Sequence, residues 1–244
     1  MAEERRRTLA LLPGIVDQPQ RTLAQVALYP HGRWLIPAIF LVITLSILAV
    51  LNAPFAAQEA TRQLQAQLVT LPAEQAQIIQ GQLQFFSSPP FMVGMALASG
   101  LLGLLIGWIV AAAILYIVSL LAGGELDYGR AFALAPWLWL PYGLRDLAQA
   151  LYIFIDGKMI VYQGLSFLVA TGDSLKDVRN LAYLLLSQVD LFSLWHLLLV
   201  YAGLRAVGQL SRGSAALTTL LYAATMLALG AVPGLIGGGA GGVG

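Results

Sequence analysis

The residues of this chain best suited to chemistry are polar groups set inside apolar sequence. Arg145, Asp146 and Gln149 share a short stretch with Pro136, Pro141 and Gly143. Further along, Asp190, Trp195, His196 and Arg205 punctuate a leucine-rich run. Charge at membrane depth is costly, so such groups pair, line a water-filled path or reach a wet interface. Adjacent helical residues leave the axis about 100° apart. Arg145 and Asp146 are therefore expected to diverge and to need partners elsewhere, with Asp190, Arg205, Glu125 and Asp127 as candidates. Two readings stay open. One is a polar site inside a helical bundle. The other is a broken, shallow pair of helices with both charges at the interface.

The pattern argues against catalysis. His196 lies six residues past Asp190, off its helical face, and no serine is spaced to form a nucleophile–base pair with it. H-E-x-x-H, G-x-S-x-G and P-loop motifs are absent from the sequence. The chain has no cysteine, and its two histidines, His31 and His196, are far apart. No catalytic residue, cofactor or metal site is therefore predicted, and His196 is expected to hydrogen-bond a neighbour.

Composition narrows the class. Hydrophobic residues make up 59% of the 244 and charged residues only 10%, against about 25% charged in an average soluble domain. The mean hydropathy is +0.78. These values describe an integral membrane protein. A formal net charge of +1 offers no basic field to nucleic acid.

A spanning helix needs about 20 apolar residues. Residues 34–51, 91–121, 131–155, 181–207 and 215–236 meet that need, some with their flanks. Pro136 and Pro141 remove backbone donors, so the third segment must kink or open, and neighbours must satisfy the freed carbonyls. Asp190 before Leu191 reads as an acidic helix cap, which makes residues 181–188 a separate short helix. Gly100, Gly103 and Gly107 form a small-residue packing seam on the second segment. The predicted fold is an all-α integral membrane bundle of five transmembrane helices over residues 34–236.

Basic residues orient it. With the N-terminus inside, eight lie in inner connections and four in outer ones. The expected topology is N-terminus cytoplasmic and C-terminus outside. Residues 1–33 are too long a basic region for an ordinary cleaved signal. Within this cytoplasmic segment, RTLAQVALY (residues 21–29) places Leu23, Val26 and Ala27 on one helical face, suited to the membrane interface. Residues 56–88 hold nine glutamines. They read as a glutamine-rich amphipathic helical hairpin broken at Leu71-Pro72, between the first and second spans. The apolar stretch inside residues 156–180 is too short to span and is expected to lie at the interface. The tail, 237–244, is nearly all glycine and is expected to hold no fold.

Four stretches resemble the Yip family, five-pass membrane proteins named for interaction with Ypt/Rab GTPases, in its bacterial type. They are Leu28-Tyr29-Pro30 with Trp34, the loop LPAEQAQIIQGQLQFFSSPP, Gly129-Arg130-Ala131-Phe132-Ala133 leading to the prolines, and Val189-Asp190-Leu191-Phe192-Ser193-Leu194-Trp195. The last continues through Gly203-Leu204-Arg205-Ala206 and Leu210-Ser211-Arg212. The resemblance covers most of residues 25–230. It implies a five-pass fold in the bacterial cytoplasmic membrane and non-enzymatic scaffold, assembly or trafficking-type work. Membrane-protein partners or a homo-oligomer follow from that role. A GTPase partner is not expected, because residues 1–33 carry no obvious binding domain. The alternative is a small-solute or ion transporter or channel subunit that uses the broken third span around Arg145 and Asp146.

Overall fold

Proline opens the first elements. In the computed structural model, which describes residues 10–68 and 88–239, α1 (Leu11–Asp17) is followed by α2 (Pro19–Leu28) and α3 (Pro30–Arg33). Proline stands at the first position of both α2 and α3, where its missing N–H has no helical partner to lose. The predicted face of α2 is present, with Leu23 and Val26 wholly buried. It packs on the chain's own later helices Tyr128–Leu138 and Leu191–Ala206 rather than on lipid. Gly203, on the helix Leu191–Ala206, lies against Leu23: a Cβ there would stand 3.6 Å from its methyl, an ordinary packing distance.

Among the described residues, three helices are long and apolar enough to cross a membrane, over Leu35–Gln58, Pro89–Leu121 and Arg212–Val232. The first belongs to α4 (Leu35–Leu68), which continues well past the expected end at Leu51 and takes in residues 56–68 of the glutamine-rich segment. The rest of that hairpin, with its break at Leu71-Pro72, lies outside the described residues. The second is α5 (Pro89–Leu121), which starts on two prolines.

The two middle segments each fold as a pair. Residues 131–155 fall within α6 (Tyr128–Leu138) and α7 (Leu140–Asp156), parted at Trp139. A loop with a 3-10 turn (Ser166–Leu168) and the one-turn α8 (Ser174–Asp177) follows. Residues 181–207 hold α9 (Leu181–Leu186) and α10 (Leu191–Ala206). The split falls where an acidic cap was expected. The Asp190 carboxylate accepts from the Ser193 backbone N–H at 2.7 Å, and the Asp190 N–H donates to the Ser193 hydroxyl at 2.8 Å. That reciprocal box starts a new helix. The last helix, α11 (Arg212–Gly239), runs three residues into the glycine tail; residues 240–244 lie outside the described residues. Every regular element among the described residues is helical.

The contacts divide the chain into two units. The first takes Met1–Leu41, Gly107–Tyr142 and Val161–Gly244. Its core joins Leu23 and Val26 to Leu115, Leu134, Trp137 and Leu138, and to Leu199, Leu204 and Tyr222. The Trp137 indole N–H donates to the Arg33 carbonyl at 3.1 Å, which ties the N-terminal helices to α6. The second unit takes Val42–Ile106 and Gly143–Ile160. Its buried positions are mostly small, with Ala49, Ala53, Ala57 and Ala150 beside Thr44 and Ile153.

Candidate polar site at the helix break

The break at Trp139 exposes backbone that must be satisfied nearby. Pro141 has no N–H to return to Trp137, and it stands in the first turn of α7, where none is needed. The Tyr142 N–H bonds the Trp139 carbonyl at 2.9 Å, three residues back instead of four. That shift releases the Leu138 carbonyl from the helical ladder. His196, buried on α10, fills the vacancy with Nδ1 at 2.7 Å from the Leu138 oxygen. Its Nε2 lies 3.1 Å from the Tyr222 hydroxyl of α11. A carbonyl only accepts, so Nδ1 carries the hydrogen and donates, while Nε2 accepts from Tyr222. One neutral tautomer thus joins three helices.

Aromatic rings close around it. The Tyr142 ring centroid is 5.0 Å from the His196 ring, and Trp139 meets Tyr142 edge-on at 5.7 Å. Gly107 makes the room Trp139 needs: a Cβ at Gly107 would collide with the indole. This accounts for one glycine of the expected seam. Gly100, in the other unit, accounts for a second, since a Cβ there would stand 2.9 Å from Leu45. Gly103 has nothing within 4 Å of its Cβ position.

The remaining site residues separate into two groups. In the second unit, Arg145 Nε and Asp146 Oδ1 stand 3.9 Å apart, with side chains 28% and 15% exposed. The sequence expectation that these neighbours cannot face each other is corrected here. The Cα–Cβ bonds diverge, but the long arginine side chain folds back across the gap. The pair is loose, at the outer limit of an ion pair. Gln149, one turn on, is half-buried in the same unit. In the first unit, Asp190 is engaged as the cap of α10, and Arg205 donates to the Leu210 carbonyl at 2.6 Å. Arg205 thus closes the turn that leaves α10.

That turn reaches another connection. The Glu125 N–H donates to the Gly208 carbonyl at 3.2 Å. A Cβ on Gly124 would stand 2.9 Å from the same oxygen, so glycine is needed for the approach. Among the described residues, no group of three or more His, Cys, Asp or Glu side chains gathers as metal ligands would.

Sequence reasoning located His196 but missed Tyr222, Tyr142, Trp139 and the Leu138 carbonyl. A usable signal existed. Two prolines announced orphaned carbonyls, and a lone apolar-face histidine announced a donor.

A family model described as the Yip1 domain covers residues 14–232. No curated protein and no solved structure matches the chain.

Proposed function

The chain belongs to the Yip family of membrane proteins, and from that membership we propose that it is a non-enzymatic scaffold, assembly or trafficking-type factor acting through helix packing and protein partners. The observation that carries this reading is the use made of the polar groups in the first unit. His196 ties Leu138 to Tyr222, Asp190 caps α10 and Arg205 closes its exit turn. His196 is spent on joining helices, and Asp190 and Arg205 on the two ends of α10.

The topology proposed with it has five passes. Three are the long helices, and the α6–α7 and α9–α10 pairs supply two broken ones. One contact supports a common side for the second and fourth connections: Glu125 bonds Gly208. The N-terminal segment is grouped with them by its five basic residues. These are the parts that hold eight of the basic residues. By the positive-inside rule we read them as cytoplasmic and the C-terminus as outside, and the bacterial cytoplasmic membrane is the location we propose.

Cross-linking in intact cells, followed by mild detergent extraction and mass measurement of the purified species, tests the role. A defined homo-oligomer or a stoichiometric membrane-protein partner is expected. A cross-link-free monomer overturns the scaffold reading. The second reading, a transporter or channel subunit, has one specific observation in its favour: the mostly buried, charged Arg145–Asp146 pair of the second unit. Solute flux into liposomes that Asp146→Asn abolishes would establish it in place of the first.

A further inference from the structure

We propose that residues 161–168, docked on the end of α9, form an apolar platform embedded among the lipids of one leaflet, at the end of α11 remote from Arg212. The proposal stands whether or not the scaffold role does.

The segment carries large apolar side chains that the chain leaves uncovered. Val161 is 67% exposed, Phe167 55% and Leu168 63%. Part of its backbone, from Leu165 to Leu168, is bonded within the protein. The Leu165 N–H donates to the Leu186 and Val189 carbonyls at 3.0 and 3.1 Å. The N–H groups of Ser166, Leu168 and Val169 find the carbonyls of Gln163, Leu165 and Ser166. Gly164 permits the docking. It adopts φ +54°, and a Cβ there would stand 2.6 Å from the Val189 oxygen. At the far end, the buried Asp177 carboxylate accepts from both the N–H and the hydroxyl of Thr171 at 2.8 Å. Outward apolar side chains on a turn held to α9 fit lipid contact. Non-helical chain does not lie open to lipid inside the hydrocarbon region, so the N–H groups of residues 161–164, which have no backbone partner among the described residues, belong at the wet headgroup boundary.

A ruler in the same unit sets the depth. The Gln188 side-chain amide, just past α9, donates to the Leu227 carbonyl of α11 at 3.2 Å. At 1.5 Å per residue, Leu227 lies roughly 22 Å along α11 from Arg212. The hydrocarbon core is about 30 Å thick. With Arg212 at one interface, Gln188 falls in the opposite leaflet, short of its headgroups. Helix α10 agrees, since its 16 residues climb roughly 24 Å. The Lys176–Asp173 pair, at 3.1 Å, and the exposed Arg179 supply charges of both signs for a zwitterionic headgroup layer. The occupant is therefore phospholipid, with acyl chains against Phe167 and Leu168 and headgroups at the rim.

The cysteine-free chain allows single nitroxide labels to be placed at will. Phe167→Cys, Leu168→Cys and Lys176→Cys are labelled in the full chain and reconstituted in phosphatidylethanolamine–phosphatidylglycerol vesicles. Leu220→Cys, on the exposed face of α11, sets the lipid reference. Power saturation is read with oxygen, which partitions into lipid, and with a water-soluble nickel chelate. Labels at 167 and 168 are expected to follow oxygen as the one at 220 does, and the label at 176 to follow nickel. Nickel access at 167 and 168 overturns the proposal in favour of a water-exposed loop. Shielding from both reagents overturns it in favour of a protein cover, a second copy or a partner.

Discussion

In the unit that holds the α6–α7 break, His196 uses both ring nitrogens, one on a released backbone oxygen and one on a tyrosine hydroxyl, and it is wholly enclosed. In the other unit, Arg145 and Asp146 stand at the outer limit of an ion pair and keep part of their side chains exposed. Both places follow from the same proline-rich stretch. The first is neutral and saturated, so its loss is a loss of structure. The second is a charged pair that keeps part of both side chains exposed, so a change there is expected to touch function before structure. A polar residue inside a membrane protein therefore does not announce a site by its type alone. What decides is whether the backbone has already claimed its hydrogen-bonding capacity.

The largest effect that would test this contrast is at His196. His196→Ala leaves the Leu138 carbonyl and the Tyr222 hydroxyl buried without their partner. Each unsatisfied group costs about 1–3 kcal/mol, so a loss of roughly 2–4 kcal/mol is expected in unfolding from mild detergent. Interhelical hydrogen bonds in membranes average about 0.6 kcal/mol in double-mutant cycles. That figure describes the net worth of a pair, whereas this truncation strands two groups. A variant as stable as the parent would erase the distinction between the two regions.

Next in size is Gly164→Ala. Positive φ and three nearby carbonyl oxygens oppose a side chain there, and strain plus displacement costs about 1–3 kcal/mol. Faster hydrogen exchange at Leu165 and Ser166, with the amides of α10 unchanged, is the expected signature. Smallest in stability is the charged pair. Arg145→Ala and Asp146→Asn are expected to shift unfolding by less than about 1 kcal/mol, as for other part-exposed pairs, yet to change the cellular phenotype. An unaltered phenotype with unaltered folding removes the case for a site in the second unit.

Much of the architecture was legible because membrane insertion makes few demands, and all of them are compositional. The Asp190 cap and the separate helix before it could be read from Val189-Asp190-Leu191-Phe192-Ser193. The reason is that a cap depends on side chains within one turn. The α2 face could be read from the spacing of Leu23, Val26 and Ala27, but not its destination, because Gly203 receives it from far along the chain. The partners of His196 were illegible for the same reason: Leu138 and Tyr222 lie 58 and 26 residues away. The Arg145–Asp146 contact was misjudged because helical angles govern Cβ directions and not where a long side chain ends.

The sequence by itself determined a membrane protein of the Yip family, apolar helices in their order, and the break that Asp190 caps. Those are matters of hydropathy, proline and capping, which act over a few residues. Only the tertiary structure decided what the polar residues do. It spent His196 on the carbonyl that the break releases, Arg205 and Asp190 on helix ends, and Gly107 on the Trp139 ring. Hydrogen bonds and close packing act over about 3–4 Å. No local pattern can state which distant residues will come within that reach.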